Sequence, residues 1–192
     1  MFLEAFILGL IIGFIRRGKI SRLAYVNFSN RTLIYISAFL YLAIIVMNLG
    51  LFNYNSYLYA IFLLLSYIFT IMFLISNISI KFMFVPLLGL CLNLIVFIAN
   101  KLKFPLSSEA AATLYGTEIH ELLNNGKILF FTPAEGANLN LLGNTLLIGN
   151  RIVLSIGDII AAIGVALVVQ AIISDKFIQN KSKLTFSKDI FR

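Results

Sequence analysis

Charge is what this sequence has least of: 12% of its residues are Asp, Glu, Lys or Arg, against 60% that are hydrophobic. A water-soluble domain carries roughly a quarter charged residues. With a mean hydropathy of +0.98, the scarcity excludes an ordinary soluble globular domain and points to an integral membrane protein. Cysteine is nearly absent too. The single Cys91 lies inside an apolar run, which excludes a disulfide framework, a Cys-x-x-Cys pair and a cysteine-built metal site. Histidine occurs once, as His120, so no multi-histidine metal set can form. There is no Gly-x-Ser-x-Gly elbow, phosphate loop or His-Glu-x-x-His sequence. No metal, no cofactor and no catalysis are expected, and the only pair to nominate for an enzyme is Asp158 with His120. The 15 basic against 8 acidic residues give a net charge of +7. These basic residues cluster beside apolar runs, where anionic lipid and topology account for them, so nucleic acid is not expected as a partner.

What the chain does contain is hydrocarbon in long runs. Residues 33–52, 57–76 and 82–99 hold no charge, and 152–174 is interrupted only by Asp158 and Gln170. Each is about the length needed to cross a bilayer. Residues 2–15 are apolar except for Glu4, but the opening segment reaches only about 22 Å against a hydrocarbon core of about 30 Å. Its basic residues follow the apolar run, the reverse of a cleaved signal peptide, so it reads as an uncleaved first helix. The expected fold is all-α: one membrane domain over 1–192, with about five transmembrane helices, an external segment at 100–151 and a basic tail at 175–192. Should the first segment fail to cross, four spans remain and the N-terminus lies inside.

Orientation follows from the positive-inside rule. An external N-terminus places Arg16, Arg17, Lys19, Arg22, Arg31, Lys81 and the tail residues Lys176, Lys181, Lys183, Lys188 and Arg192 inside, which is eleven of the fifteen basic residues. Only Lys101, Lys103, Lys127 and Arg151 remain outside, with Glu4, Glu109, Glu118, Glu121 and Glu135. The C-terminus is then cytoplasmic, and the expected location is a bacterial cytoplasmic membrane. Lys19 to Arg31 reads as a segment along the membrane surface, with Leu23, Val26 and Phe28 as its apolar contacts. Tyr54, Tyr57 and Tyr59 near the outer face, and Tyr25 and Tyr35 near the inner face, suit interfacial anchors. Gly9 and Gly13 form a Gly-x-x-x-Gly pair that could admit a neighbouring helix.

Within the external segment, Ser107 to Tyr115 has a capping hydroxyl, an early acid and three alanines, and Thr117 to Asn125 ends at Gly126-Lys127. Both predict short amphipathic helices lying on the outer surface or over the mouth of the bundle. Beyond them, 128–131 and 139–148 are apolar but broken by Pro133, Gly136, Gly143 and Gly149. No continuous crossing fits there, though a re-entrant or interfacial path does.

Polar residues inside the spans gather toward the outer side: Asn48, Asn93, Asn100 and Asp158. Two accounts stand. One is a polar pocket open to the outside and roofed by the external segment, with His120 above it. The other is helix packing, in which each Asn hydrogen-bonds across a helix pair for about 0.6–2 kcal/mol. Asp158 divides in the same way. A helix starting at Ile152 would bury its carboxylate in the span. A helix capped by Ser155 would make Asp158 the third residue of a capping box and leave a span from Ile156 to Ser174 of about 28 Å. Gly157, Ala161 and Gly164 give that helix a small-residue face, whose natural partner is the fourth span, where Gly89, Asn93 and Asn100 recur at helical spacing. His120 itself reads as an exposed helix histidine.

Several of these features occur in a particular order: Gly13-Phe-Ile-Arg16-Arg17-Gly18-Lys19-Ile20, then Leu92-Asn93, Asn100 and Phe104-Pro105-Leu106-Ser107, then His120, Leu141-Leu-Gly143-Asn144 and Ser155-Ile-Gly-Asp158-Ile-Ile-Ala-Ala-Ile-Gly164. In this the chain resembles a bacterial family of small multi-spanning membrane proteins, domain of unknown function family 5317. Where that family tends to have Gly-Asp, this chain has Gly143-Asn144. The resemblance implies a multi-spanning architecture and no particular activity. The functional expectation is a non-catalytic protein that binds a small molecule or lipid in an outward-facing pocket, as an accessory to transport or sensing. The alternative is a structural or assembly subunit. The bilayer is the expected partner, together with a second membrane protein or further copies of the chain.

Overall fold

The computed structural model describes residues 1–49, 55–116, 123, 131–149 and 152–175. Its elements in chain order are α1 (Phe2–Ile15), a 3-10 turn (Ile20–Tyr25), α2 (Arg31–Asn48), α3 (Ser56–Ser76), α4 (Phe84–Ala99), β1 (Phe104–Leu106), α5 (Ser108–Tyr115), β2 (Phe131–Pro133), a 3-10 turn (Asn140–Leu142), β3 (Leu146–Ile148), β4 (Ile152–Leu154) and α6 (Ile156–Ser174). The structure is mostly helical. Three of its helices, α2, α3 and α6, are long and apolar enough to cross a membrane, and α1 and α4 are shorter apolar helices.

The long helices pack in the order α1, α6, α4, α3, α2. Neighbours alternate in direction with one exception. Ser37 of α2 meets Ser66 of α3, while Ile44 and Met47 cluster with Tyr59, Ala60 and Leu63, so α2 and α3 are antiparallel. Gly89 faces Ala161, and Gly164 faces Pro86, so α4 and α6 are antiparallel as well. By contrast Gly9 faces Ala166 and Val169, and Gly13 faces Gln170 and Ile173, so α1 runs parallel to α6.

Small residues set the spacing of this row. A Cβ at Gly89 would stand 2.9 Å from the Cα of Ala161, and one at Gly164 would stand 2.9 Å from the Cα of Pro86. A Cβ at Gly157 would overlap the Asn93 side chain. On the other side of α6, a Cβ at Gly9 would lie 2.6 Å from the carbonyl oxygen of Ala166. Both faces of α6 are therefore in near-backbone contact with a neighbour. By comparison the α2–α3 contact is polar at its centre: the Ser37 hydroxyl lies 3.0 Å from that of Ser66 and 2.6 Å from that of Thr70.

Apolar side chains pack at both ends of the bundle along the helix axes. One cluster holds Ile44, Met47, Tyr59, Ala60, Leu63 and Phe97, with Leu102 and Phe104 packed on it. The other holds Phe73, Leu74, Met83, Val168 and Ile172. Leu23, Val26 and Phe28 pack against this second cluster, which corrects their reading as contacts with the membrane surface. The cause is Arg22, which is 6% exposed and donates from Nη1 to the carbonyl of Ile173 at 2.6 Å. The Lys19 amide donates to the same oxygen at 2.9 Å. A carbonyl orphaned at the negative end of α6 is thereby satisfied by a cation, and the segment after α1 is drawn into the protein. Tyr59 is likewise buried in the first cluster, whereas Tyr57, Tyr35 and Tyr25 are exposed.

Residues 100–151 are expected to hold two short helices followed by broken apolar stretches. α5 forms over Ser108–Tyr115, its first turn capped by the Ser107 hydroxyl. The second expected helix, 117–125, and His120 with it, lies outside the described residues except for Leu123, which is buried with Leu106 and Ala111. Two small sheets appear instead of irregular chain: β1 pairs with β2 in parallel, Phe104 opposite Phe131, and β3 pairs with β4 antiparallel, Ile148 opposite Ile152. The last helix begins at Ile156 rather than Ile152, because 152–154 are committed to the β3–β4 ladder. α2 begins at Arg31 and α4 at Phe84, each two residues from the expected edge.

The α4–α6 contact gives a direct test. Gly89→Ala pushes a methyl group against the α6 backbone, and overpacking of this kind costs about 1–3 kcal/mol. Leu88→Ala, one residue away on the exposed side of α4, should change stability by no more than about 0.5 kcal/mol. Unfolding of the purified variants in detergent should show a clear loss for Gly89→Ala alone.

Candidate functional site

The densest polar constellation lies where α4 passes the start of α6. Ser155 ends the β3–β4 hairpin in an extended conformation, and its hydroxyl accepts the Asp158 amide at 2.8 Å. In return Asp158 Oδ2 accepts the Ser155 amide at 3.2 Å. This capping box satisfies two donors that the first helical turn would otherwise leave unpaired, and it resolves the position of Asp158 in favour of the capped helix.

Asp158 is nevertheless more than a cap. Its Oδ1 accepts from the Asn93 amide nitrogen at 2.8 Å, and the Ser155 hydroxyl donates to the Asn93 carbonyl oxygen at 2.7 Å. One amide side chain on α4 thus reads both members of the capping box on α6. Asn93 and Ser155 are each 2% exposed, whereas Asp158 is half-buried. Gly157 makes the reach possible, since any side chain there would occupy the place of the Asn93 amide. Tyr67 of α3 lies beside Asn93 and within electrostatic range of Asp158. Three helices therefore meet at one polar junction.

Asn100 does different work. It ends α4, donates to the carbonyl of Val96 at 2.8 Å, and pairs with the backbone of Asn138 through both ends of its amide, at 2.8 and 2.9 Å. Asn138 replies by donating to the carbonyl of Ala99 at 3.1 Å. The segment that follows α4 is pinned to its last turn by this exchange. Asn48 joins neither group: it is exposed in the last turn of α2, a helix whose main neighbour is α3. Of the five residues singled out as a pocket, Asn93 and Asp158 are in contact, Asn100 is at a separate joint, Asn48 is remote and His120 lies outside the described residues.

Sequence reasoning missed Tyr67, Asn138 and Asn77. Asn77, at the end of α3, donates to the Phe73 carbonyl at 2.8 Å and pairs with the Ser29 backbone through both amide ends, at 2.8 and 3.0 Å. That is the same arrangement as Asn100 with Val96 and Asn138. An asparagine directly after a long apolar run is the signal that could have found it, since such a residue can serve a helix end. Tyr67 offers no such signal, being one aromatic residue among many in its span.

The sequence motifs that stood out meet at two separate joints. Gly143 packs on Pro105, where a Cβ would lie 2.6 Å from that ring. The Asn144 amide donates to the Pro105 carbonyl at 2.8 Å, and its own carbonyl accepts from Ser107 at 3.1 Å. The backbone of residue 144 makes this joint, so it does not depend on whether the side chain there is Asn or Asp. At the other end of the bundle, the Gly18 amide donates to the Gly13 carbonyl at 2.8 Å, where a side chain at Gly18 would collide with the carbonyls of both Gly13 and Ile173. Among the described residues no group of three or more His, Cys, Asp or Glu is placed to hold a metal ion.

These features define a helical protein with three helices able to cross a membrane and a buried polar junction at one end of its bundle. The chain belongs to a family of unknown function, DUF5317, whose model matches residues 25–170. No curated protein and no solved structure matches it.

Removing the Asn93 amide strands the Ser155 hydroxyl and one Asp158 oxygen. Asn93→Ala should therefore cost about 1–3 kcal/mol, and Ser155→Ala, which removes the cap, about 1 kcal/mol. In a double-mutant cycle of Asn93→Ala with Asp158→Ala, the losses should fall short of additivity, because each change breaks the same bond.

Proposed function

We propose that this chain is a five-span protein of a cytoplasmic membrane, N-terminus outside and C-terminus inside, that binds a small molecule or lipid at the Asn93–Asp158 junction without catalysing a reaction. The alternation of helix directions supports the topology. α1, α3 and α6 run one way and α2 and α4 the other, as five successive crossings require, and the basic residues 16–31 then fall on the same side as the C-terminal end of α6. The apolar, exposed outer faces of α1 and α2, including Leu3, Ile7, Leu8, Tyr35, Phe39 and Leu42, support immersion in lipid, since water-facing surfaces of this kind are rare.

The binding reading rests on one observation. Asp158 is half-buried, its partners are Asn93 and Ser155, and among the described residues no cation pairs with it. A carboxylate can accept about four hydrogen bonds, so acceptor capacity is left on a fixed, preorganised group. A ligand carrying amine or hydroxyl donors suits it. The alternative, a structural or assembly subunit, drew on the small-residue faces and on the basic tail at 175–192. Gly9, Gly13, Gly89, Gly157 and Gly164 all meet neighbours within this chain, so they no longer call for an outside helix.

Native mass spectrometry of the purified protein tests the binding. Wild type should carry a bound small molecule or lipid whose occupancy falls at least about tenfold in Asp158→Asn, the equivalent of one lost charge-assisted contact. If both proteins carry the same species and are equally stable, the reading is wrong.

The topology has its own test. In a Cys91→Ser background, Ser108→Cys should react with a membrane-impermeant maleimide on intact cells. Lys19→Cys should react only after the membrane is opened. The reverse pattern would overturn the orientation.

A further inference from the structure

The antiparallel pairing of β3 and β4 sorts their side chains onto two faces. Leu147 and Val153 are paired and half-buried, and Val153 packs against the cluster of Leu106, Ala111 and Leu123. On the opposite face, Leu146 is 39%, Ile148 51% and Ile152 44% exposed, and Ile148 and Ile152 are direct cross-strand partners. The neighbouring 3-10 turn adds Leu139 at 47% and Leu141 at 77%. Five aliphatic side chains are thus presented outward by a segment whose inner face already has a core to pack on. Between Gly136 and Gly157 the sequence holds one charged residue, Arg151, and no acid.

We infer that this hairpin and turn form an interfacial anchor that rests its aliphatic face on the outer leaflet of the bilayer, with lipid as its occupant. Three observations favour lipid. β4 ends at Leu154, one residue before the Ser155 cap of α6, so the hairpin cannot stand far from the boundary where that helix enters the membrane. Asn138 is bonded to the last turn of α4, and the 3-10 turn that follows it touches both α4 and α6, so Leu139 and Leu141 are held beside the helix ends. The charge pattern also fits, because a single cation and no acid suits the phosphate level of a bilayer. The depth is limited as well. A two-stranded sheet keeps open edges whose amides and carbonyls have no partner in hydrocarbon, so the hairpin lies at headgroup level with only its side chains dipping into the acyl region.

The inference rests on the membrane reading above, and the test separates the two. The chain contains no tryptophan, so one introduced indole reports its own surroundings. Ile148→Trp, with Leu141→Trp as a second variant at an exposed position, would be reconstituted into phosphatidylcholine–phosphatidylglycerol vesicles brominated either near the ester end or near the methyl end of the acyl chain. Ile163→Trp, at an exposed position near the middle of α6, serves as the reference. The expected result is blue-shifted emission from Ile148→Trp and Leu141→Trp that loses most fluorescence to the ester-end bromines, while Ile163→Trp loses most to the methyl-end bromines. Quenching of the hairpin indoles by aqueous iodide but not by bromine would overturn the anchor and leave the membrane reading intact. So would protection from both quenchers, which would indicate a protein partner or a second copy on the patch. Maximal quenching of the hairpin indoles by methyl-end bromines would overturn the interfacial depth. If Ile163→Trp were itself untouched by either lipid, the membrane reading would fail.

Discussion

The near-backbone contact between α4 and α6 is the constraint on which the rest depends. With no side chain at Gly89 or Gly157, the two helices come close enough for the Asn93 amide to reach both Ser155 and Asp158. The order of causes matters here. Packing sets the distance, the distance allows the hydrogen bonds, and the hydrogen bonds fix where α6 starts. In lipid this logic is sharper than in water, because apolar surface gains nothing by leaving one hydrocarbon for another, and association relies on close van der Waals packing and on polar groups that would otherwise be unsatisfied. A junction combining both is well placed to hold α4 and α6 in register, and α1 follows through its own glycine contacts on the opposite face of α6.

The same economy appears at the ends of α3 and α4. Asn77 and Asn100 each satisfy a carbonyl four residues back and pair with the backbone of a distant residue, Ser29 in one case and Asn138 in the other. An amide side chain has one donor group and one acceptor group, as a peptide unit does, so it can extend a helix end into a short imitation of strand pairing. These two joints lie at opposite ends of the bundle. Each ties a connecting segment to a helix where the terminal carbonyls need partners, which is why polar residues are found at those points in a chain otherwise so short of them.

How far the sequence revealed this depends on the kind of signal. The apolar runs located every long helix, because periodicity and charge depletion act over fifteen to twenty residues and survive local detail. Ser155 and Asp158 were legible as a possible cap because a capping box has fixed spacing. The small-residue face at Gly157, Ala161 and Gly164 could be paired with Gly89 for the same reason. Asn48 shows the limit. Its depth along the helix could be placed, but nothing in a linear sequence says that α2 lies at the far edge of the row from α6. The strands were missed because each is three residues long, too short for alternation to stand out from an apolar stretch interrupted by glycine. The partners of Asn100 and Asn77 were hidden for a simpler reason: they are backbone groups, which every residue possesses.

The hairpin and the cap explain one another. An extended segment with open edges cannot continue into hydrocarbon, because its peptide groups would lose water and find no partner. A helix carries its peptide bonds within itself and can continue, but its first turn still leaves amides unpaired. The change from strand to helix therefore needs a residue able to serve the amides exposed at the helix start. Ser155 is that residue, with Asp158 completing the box and adding a negative charge at the positive end of the helix. Asn93 then ties this transition to α4. An acid that looked misplaced in an apolar span thus marks the point at which the chain stops being sheet and starts its last helix.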